Sequence, residues 1–300
     1  MMDNTQKTLG FIGLGVMGTP MAKNLSVKYP GVKIFDIDST RVKDLCAQAK
    51  VQPSENIYEV GRACDIVFLS LPNSAVVKEV VLGEKGLMSA MKKGGIIVDM
   101  STADTSVVVE LENKIKPASL QFLDAPVSGG EKAAIAGTLS IMVGGDEKVF
   151  LCCRDYLSAI GSSVIRLGPI GSGQVAKCIN QMIVAAAFVS IAEAFALGAK
   201  KGLDIKTLYD AIKGGWAGSK VLDVAAQDIL TREFKPGGTV EMLHKDLGYV
   251  LALAREEGFP APLTAHVYEI FTAGKAAGDA KKSQTALIKL WEKLTGIEAR

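Results

Sequence analysis

Side chains that bind metals or relay protons are scarce in this sequence of 300 residues. Its two histidines, His244 and His266, are each isolated from cysteine or carboxylate partners at ligand spacing, which argues against a zinc site. The five cysteines are odd in number and form no CxxC pair, which favours a reducing cytosol over a disulfide framework. We therefore expect no metal, and a proton donor other than histidine.

Basic clusters and a signal sequence are also lacking. The net charge is +2 and the lysines and arginines form no cluster, which argues against a nucleic-acid partner. The first residues, MMDNTQKTLGF, lack the charged-then-apolar pattern of a signal peptide. The most apolar run, Met182–Ala192, contains Ser190 and is followed by Glu193, so it is shorter than the ~20 residues of a membrane span. We expect a cytoplasmic protein with no membrane partner.

A glycine-rich motif follows the first apolar run. Leu9–Ile12 is a predicted strand that leads directly into Gly13-Leu14-Gly15-Val16-Met17-Gly18. Pro20 fits the first turn of the next helix. Val32–Phe35 predicts a second strand, which ends at the acidic Asp36. This order of strand, GxGxxG, helix, strand and acid is typical of a dinucleotide-binding unit.

Each part of this motif has a physical role in binding a dinucleotide. Gly13 permits the tight turn, Gly15 lets the backbone approach a pyrophosphate, and Gly18 lets helix and strand pack closely. The helix N-terminus supplies N–H groups and a positive dipole end. Asp36 is expected to accept hydrogen bonds from the adenosine ribose. We predict that the whole motif, together with Asp36, contacts the cofactor.

The residues around Asp36 bear on the choice between NAD and NADP. Asp36 and Asp38 would repel a 2′-phosphate, which favours NAD. Arg41 could receive that phosphate, although a solvated arginine at a helix start is the simpler explanation. We therefore predict NAD, with NADP as the alternative.

Strands and helices continue to alternate up to about residue 170, which indicates a largely parallel sheet covered on both faces. The further predicted strands are residues 65–71, 95–100, 120–123, 139–143 and 164–167. In such sheets ligands bind beyond the C-terminal strand ends, where Leu71-Pro72, Thr102 and Ser128 fall. Taken alone, Leu71-Pro72 could equally be a turn and Ser101-Thr102 a helix cap.

No strand is predicted after Gly202, and the second half is expected to be all-helical. The predicted helices there are Ile205–Lys213, Ser219–Thr231, Val240–Glu257, Ala261–Ala277 and Ser283–Thr295. We predict an α/β Rossmann-type dinucleotide-binding domain, residues 1–170, followed by an all-α substrate and oligomerisation domain, residues 171–300.

A long apolar helix opens the second domain. The segment from Gly171 to about Lys200 has no proline and consists mostly of good helix formers. About 27 residues from Gln174 would span ~40 Å. Because the helix is apolar nearly all round, we expect it to be buried on most sides. We interpret it as an interdomain helix.

Three polar residues near the start of this helix, Lys177, Asn180 and Gln181, share one face. With a dinucleotide site present, the simplest chemistry is hydride transfer, and a carbonyl that is reduced needs a proton donor. Lys177 is the best candidate, because burial would lower its pKa towards the working pH. The alternative is a lysine that extends its stem over apolar surface to water.

A substrate carboxylate would suit Ser128-Gly129-Gly130, which offers a hydroxyl and successive unhindered N–H groups. A plain glycine turn is the alternative explanation. Asn180, one turn beyond Lys177, could bind the same substrate or hold the lysine, and Gln181 is the weaker candidate.

Four motifs in this order, GFIGLGVMGTPMAKNL, DAPVSGG, GSGQVAKCINQ and HKDLG, resemble the β-hydroxyacid dehydrogenases over essentially the whole chain. The resemblance implies a Rossmann domain followed by a helical domain, and a homodimer or homotetramer built on the helical half. It implies that Lys177 is the catalytic acid/base. The substrate ligands that it implies are Ser128, Gly129, Gly130 and Asn180.

The same resemblance places Lys245 of the KDL motif near the nicotinamide. It also assigns Leu71, Pro72 and Thr102 as cofactor contacts. Imine reductases resemble this fold but lack the lysine. The 6-phosphogluconate dehydrogenases share the motif pattern, but their chains are much longer than this one. A binding protein that had lost catalysis would have no reason to keep Lys177.

Two segments within the helical half bear on the substrate. Gly214–Asp223 and Glu233–Gly237 resemble tartronate semialdehyde reductases, whereas 3-hydroxyisobutyrate dehydrogenases tend to carry a serine-rich stretch there. Two positions depart from the family pattern: Gly238 stands where an aromatic is common, and Gln181 where many relatives have asparagine. The resemblance favours reduction of tartronate semialdehyde to glycerate, with 3-hydroxyisobutyrate or another β-hydroxyacid as the alternative.

Overall fold

The computed structural model describes residues 7–235 and 237–300. The first six residues, on which the signal-peptide argument partly depends, and Pro236 of the FKPG segment lie outside the described residues. The chain divides into two compact units, one ending at Lys177 and the other beginning at Cys178. The boundary after residue 170 stays a prediction.

The first unit is built on one mixed sheet. Its strands among the described residues are β1 (Leu9–Ile12), β2 (Val32–Phe35), β3 (Val51–Pro53), β4 (Ile66–Leu69), β5 (Ile96–Asp99), β6 (Gln121–Asp124), β7 (Val127–Ser128), β8 (Leu139–Gly145) and β9 (Gly161–Gly168). The order across the sheet is β3-β2-β1-β4-β5-β6-β8-β7, and β9 pairs with β8. Strands β1 to β6 run parallel, whereas β8 is antiparallel to both β6 and β7.

Helices cover both faces of this sheet. They are α1 (Gly18–Lys28), α2 (Ser39–Gln48), α3 (Ile57–Ala63), α4 (Ser74–Leu82), α5 (Leu87–Ala90), α6 (Thr105–Ile115), α7 (Gly130–Ala136) and α8 (Glu147–Leu157). Successive side chains of a strand point to opposite faces, and the neighbours Phe68 and Leu69 of β4 belong to two different apolar clusters. The Rossmann-type fold expected from the sequence is therefore confirmed.

The strand order reverses at β1, which lies between β2 and β4. Ligands of doubly wound sheets bind at such a switch point, beyond the carboxyl ends of the strands. Gly13 follows β1 and Leu71 lies shortly after β4. The fold thus brings two of the predicted cofactor segments to the same edge of the sheet.

The second unit is helical, as expected. Helix α9 (Ser172–Lys200) starts at the end of the first unit and continues into the second. The others are α10 (Ile205–Ile212), α11 (Lys220–Thr231), α12 (Val240–Glu256), α13 (Pro262–Gly274) and α14 (Ile288–Thr295), with a π-helical turn at Lys275–Asp279 and a 3-10 turn at Gln284–Leu287. Phe195, Leu247 and Phe271 lie in the apolar core of this unit.

Helix α9 differs from the sequence-based expectation in its burial. Only 39% of its most apolar 18-residue window is buried, and Ile179, Ile183 and Leu197 are each more than half exposed. The expectation that it is buried on most sides is therefore wrong for the single chain. Ser190 and Glu193 do not interrupt it, so by length and composition it could cross a membrane, a criterion that core helices of soluble proteins also meet.

Candidate active site

The glycine-rich loop has the geometry that the sequence predicts for it. Gly13 has a φ of +94°, which an L side chain rarely adopts. A Cβ on Gly18 would collide with the carbonyl oxygen of Gly13, so α1 packs against the turn as closely as backbone allows. A Cβ on Gly15 would meet no atom within 4 Å. The loop is therefore bare at the position where a pyrophosphate would approach.

Asp36 is tied to this loop by its own carboxylate. Oδ2 accepts a hydrogen bond of 2.6 Å from the backbone N–H of Leu14, and Oδ1 accepts one of 2.8 Å from Asp38. Arg41, half exposed, lies 3.8 Å from the Asp36 carboxylate and 3.3 Å from that of Asp38. Asp36 thus shapes the loop, and its contact with a ribose stays a prediction.

The loops after β4 and β5 are joined to each other. The backbone N–H of Leu71 donates a hydrogen bond of 2.8 Å to Ser101 Oγ, and Ser101 N–H donates one of 3.0 Å to Asp99 Oδ1. The cap of α6 is Asp104, so Ser101 and Thr102 are not helix caps. The structure therefore brings Leu71, Pro72 and Thr102 to the same edge of the sheet, and their contact with the cofactor stays a prediction.

Ser128-Gly129-Gly130 lies at a helix start, which the sequence analysis did not predict. Ser128 ends β7, Gly129 has a φ of +134°, and Gly130 is the first residue of α7. A Cβ on Gly130 would meet no atom within 4 Å. Gly130 thus presents open backbone at the positive end of a short helix, which suits a carboxylate.

Lys177 lies against this segment. Its side chain is buried, with the residue 8% exposed, and its Nζ donates a hydrogen bond of 2.8 Å to the carbonyl oxygen of Val127. Val127 directly precedes Ser128 in the sequence. A lysine extended over apolar surface to water does not fit this burial. The ammonium group is instead held beside the predicted carboxylate site.

One residue that the sequence analysis missed, Asp124, fixes the start of α9. Asp124, fully buried, accepts hydrogen bonds of 2.8 Å from the backbone N–H groups of Gly171 and Gln174. Burial raises the pKa of the Asp124 carboxyl, and these N–H groups oppose that shift. The only sequence signal that could have identified Asp124 is its position as the first residue of the DAPVSGG motif.

In the second unit, a chain of side chains links two of the predicted site residues. Asn180 Nδ2 donates to Gln181 Oε1 at 2.8 Å, and Gln181 Nε2 donates to Asp246 Oδ2 at 2.6 Å. Lys245 Nζ lies 3.2 Å from Asp246 Oδ1. Gln181, rated the weaker candidate from the sequence, therefore holds Asn180, and Asp246 was missed.

The donor set fits a dinucleotide. The loop at Gly15 is bare, α1 begins beside it, and the acidic Asp36 follows β2, so these residues could hold a pyrophosphate and a ribose. Within the described residues, no group of three or more histidine, cysteine, aspartate or glutamate side chains could hold a metal ion.

Comparison with known proteins identifies the family. Residues 8–168 match the NAD-binding domain of 6-phosphogluconate dehydrogenase, and residues 171–291 match the NAD-binding domain of NADP-dependent 3-hydroxyisobutyrate dehydrogenase. The chain is 39% identical to 2-(hydroxymethyl)glutarate dehydrogenase of Eubacterium barkeri, over 96% of each chain. It is 37% identical to 2-hydroxy-3-oxopropionate reductase of Escherichia coli, over 95% of this chain and 97% of the relative.

A solved structure agrees with these relatives. The 3-hydroxyisobutyrate dehydrogenase of Mycobacterium tuberculosis with L-serine is 32% identical, covers 95% of this chain and 99% of its own, and superposes with a TM-score of 0.85. The chain belongs to the β-hydroxyacid dehydrogenase family and is an NAD(P)-dependent oxidoreductase.

Proposed function

We propose that this protein catalyses the reversible reduction of a small 3-oxo acid, which is a semialdehyde, to the corresponding 3-hydroxy acid. The observation that carries the proposal is the placement of the buried Lys177 ammonium 2.8 Å from the Val127 carbonyl, directly beside Ser128-Gly129-Gly130. This position supports the assignment of Lys177 as a proton donor beside a segment that suits a carboxylate.

Bound NAD(P)H supplies the hydride in this chemistry. The Lys177 ammonium gives its proton to the carbonyl oxygen as that oxygen becomes an alkoxide, and takes the proton back in the oxidation. The Ser128 hydroxyl and the backbone N–H groups of Gly129 and Gly130 bind the substrate carboxylate. Asn180 is assigned to the same carboxylate from the resemblance. A positioned acid/base typically contributes ~10²–10⁴ in rate.

The names of several relatives support one common substrate element. Glycerate, 3-hydroxyisobutyrate, 2-(hydroxymethyl)glutarate and L-serine all carry a hydroxymethyl group on the carbon that bears the carboxylate, and they differ in the other substituent of that carbon. In our assignment, Ser128-Gly129-Gly130 binds the carboxylate of this element, and Lys177 faces the oxygen of its hydroxymethyl group. Tartronate semialdehyde, reduced to glycerate, is our first candidate. The semialdehyde corresponding to 2-(hydroxymethyl)glutarate is the second, because of the 39% identity.

A substrate panel tests the proposal. Tartronate semialdehyde and methylmalonate semialdehyde would be offered with NADH and NADPH, and glycerate, 3-hydroxyisobutyrate, serine and 2-(hydroxymethyl)glutarate with NAD and NADP. We expect turnover with at least one pair, and the Lys177→Ala variant to lose about 10²–10⁴ of it while still binding NADH. A folded variant with near-normal turnover would refute the role of Lys177. NADH binding without turnover of any pair would favour a non-catalytic binding protein.

We also propose a homodimer or homotetramer in the cytoplasm. The support for the assembly is the exposed apolar side of α9, where Ile179, Ile183 and Leu197 lie at helical spacing. The support for the cytoplasm is that all five cysteines are free. Sedimentation velocity of the purified protein tests the assembly, and a monomer at micromolar concentration would contradict it.

A further inference from the structure

The side chain of Gln174 joins α9 to the loop between β5 and α6. It is fully buried. Its Oε1 accepts a hydrogen bond of 3.1 Å from the backbone N–H of Ala103, and its Nε2 donates one of 2.9 Å to the carbonyl oxygen of Ser101. These two backbone groups flank Thr102, a predicted cofactor contact. The side-chain amide of Gln174 therefore forms hydrogen bonds with the loop on both sides of Thr102.

The two partners dictate the chemistry of the side chain at this position. The Ala103 N–H can only donate and the Ser101 carbonyl can only accept, so both are satisfied only by a group with one donor and one acceptor. The amide of Gln174 provides these at every pH. A carboxyl group of the same length provides them only when it is protonated.

The same helix carries the proposed proton donor. Gln174 and Lys177 are three residues apart on α9, so their side chains leave one face about one turn apart. Gln174 attaches the helix to the loop at Thr102, and Lys177 attaches it to Val127. The first turns of α9 thus fix the distance between the Gln174 contact with the Thr102 loop and the Lys177 contact with Val127.

We propose that Gln174 is a positioning residue for the reduction. It sets the separation between the Thr102 loop and the Lys177 ammonium without touching substrate or cofactor. The inference rests on the proposed function, because it takes Lys177 as the proton donor. A residue that only satisfied buried backbone groups would affect stability and leave the rate constants of the folded enzyme unchanged.

Gln174→Met separates the two roles, because it keeps the length of the side chain and removes both hydrogen bonds. We expect kcat to fall about 10- to 100-fold, since a misplacement of about 1 Å can cost ~10²-fold in rate. KM for the substrate should stay within about twofold, since Ser128-Gly129-Gly130 is untouched.

Thr285→Val is the matched control for lost buried hydrogen bonds. Thr285 is 2% exposed, and its hydroxyl bonds to Asp228 and Ser283 in the second unit. Its kcat should equal that of the wild type. A folded Gln174→Met variant with wild-type kcat would overturn the proposal.

Gln174→Glu gives a pH readout that remains available if Gln174→Met does not fold. The ratio of variant to wild-type kcat should rise as the pH falls from about 9 to about 6, because protonation restores a donor and an acceptor in one group and burial raises the pKa of a carboxyl. A ratio that is flat with pH would overturn the proposal.

The affinity for NADH, measured by nucleotide fluorescence without substrate, should follow the same trend, weakening for Gln174→Glu as the pH rises. The NADH affinity distinguishes a failure of the proposed substrate assignment from a failure of the proposed positioning role of Gln174. If the substrate assignment is wrong, the wild type is inactive on the panel while the pH dependence of NADH affinity persists. If the assignment is right and Gln174 is only structural, the panel is active and that dependence is missing.

Discussion

The carboxylate of Asp124 accepts the backbone N–H of Gln174 at 2.8 Å, and both residues are fully buried. A carboxylate with two acceptor oxygens matches two backbone N–H donors at the start of α9, those of Gly171, just before the helix, and Gln174. Asp124→Asn would turn one acceptor into a donor that faces an N–H group. We expect the free energy of unfolding to fall by about 1–3 kcal/mol, the usual cost of an unsatisfied buried group. Urea unfolding measures it.

Asp146→Asn is the control for that substitution. Asp146 caps α8 and accepts the N–H groups of Lys148 and Val149 through Oδ1 alone, at an exposed position. Asparagine is as good a cap there, so the free energy of unfolding should change little. Equal losses in the two variants would show that the pairing at Asp124 is not special.

The glycine-rich loop predicts opposite outcomes for two alanine substitutions. Gly18→Ala should unfold at lower temperature, because its Cβ collides with the Gly13 carbonyl. Gly15→Ala should keep its melting temperature, because no atom lies within 4 Å of the new Cβ, but should bind NADH more weakly. Thermal denaturation and NADH titration check both. Unchanged NADH affinity in Gly15→Ala would remove the loop from the cofactor site.

Asp36 and Arg41 predict how the enzyme distinguishes NAD from NADP. Asp36→Ala should relax discrimination against NADP and also weaken NADH binding, because the carboxylate holds the Leu14 N–H at 2.6 Å. Arg41→Met should lower affinity for NADP selectively if the guanidinium receives the 2′-phosphate. The ratio of the two dissociation constants decides each case. An unchanged ratio in Asp36→Ala would mean that Asp36 does not contact the ribose.

His244 is held as a neutral ring in one tautomer. Its Nε2 lies 3.1 Å from Thr272 Oγ1, whose hydroxyl donates to the Tyr268 carbonyl, so Nε2 carries the proton. Its Nδ1 lies 3.2 Å from the Lys275 ammonium, which can only donate. Burial, and then the Lys275 charge, lower the pKa of His244, and Glu269 opposes them.

This arrangement predicts a loss of stability in mild acid. The unfolded chain protonates His244 near its ordinary pKa of 6.5, above the lowered pKa of the folded state. The stabilisation is therefore complete above pH 6.5 and is lost as the pH falls through the folded pKa. Urea unfolding from about pH 7.5 to about pH 5 should show this slope, reduced in His244→Asn. A wild-type slope in His244→Asn would contradict the prediction.

Local patterns were enough to predict most of the fold. Strand β1, the glycine loop and the helices α10 to α12 lie within a few residues of the ranges expected from apolar periodicity and breakers. Helix α7 was missed, because Gly130 suggested a turn and nothing local indicates that a helix starts there. The reversal of β8 was also missed, since strand direction depends on long-range pairing.

The supporting residues of the site were harder to predict than Lys177. Lysine in a buried helix is an anomaly visible in sequence. Gln174 and Asp124 are ordinary residues until the fold places them against partners about 50 to 70 positions away. Single-sequence reasoning has no access to such pairs, so a residue such as Lys177, which is unusual in its local sequence, is easier to single out than the residues that hold it in place.

The assembly proposed through the exposed apolar side of α9 would make the stability of this protein depend on its concentration. If copies of the chain cover Ile179, Ile183 and Leu197, association adds to the free energy of folding by mass action. The melting temperature should then rise with protein concentration, and dilution should lower the stability of the enzyme even when no site residue is substituted. Activity measured at nanomolar enzyme would in that case describe the dissociated chain, and activity measured at micromolar enzyme would describe the assembly.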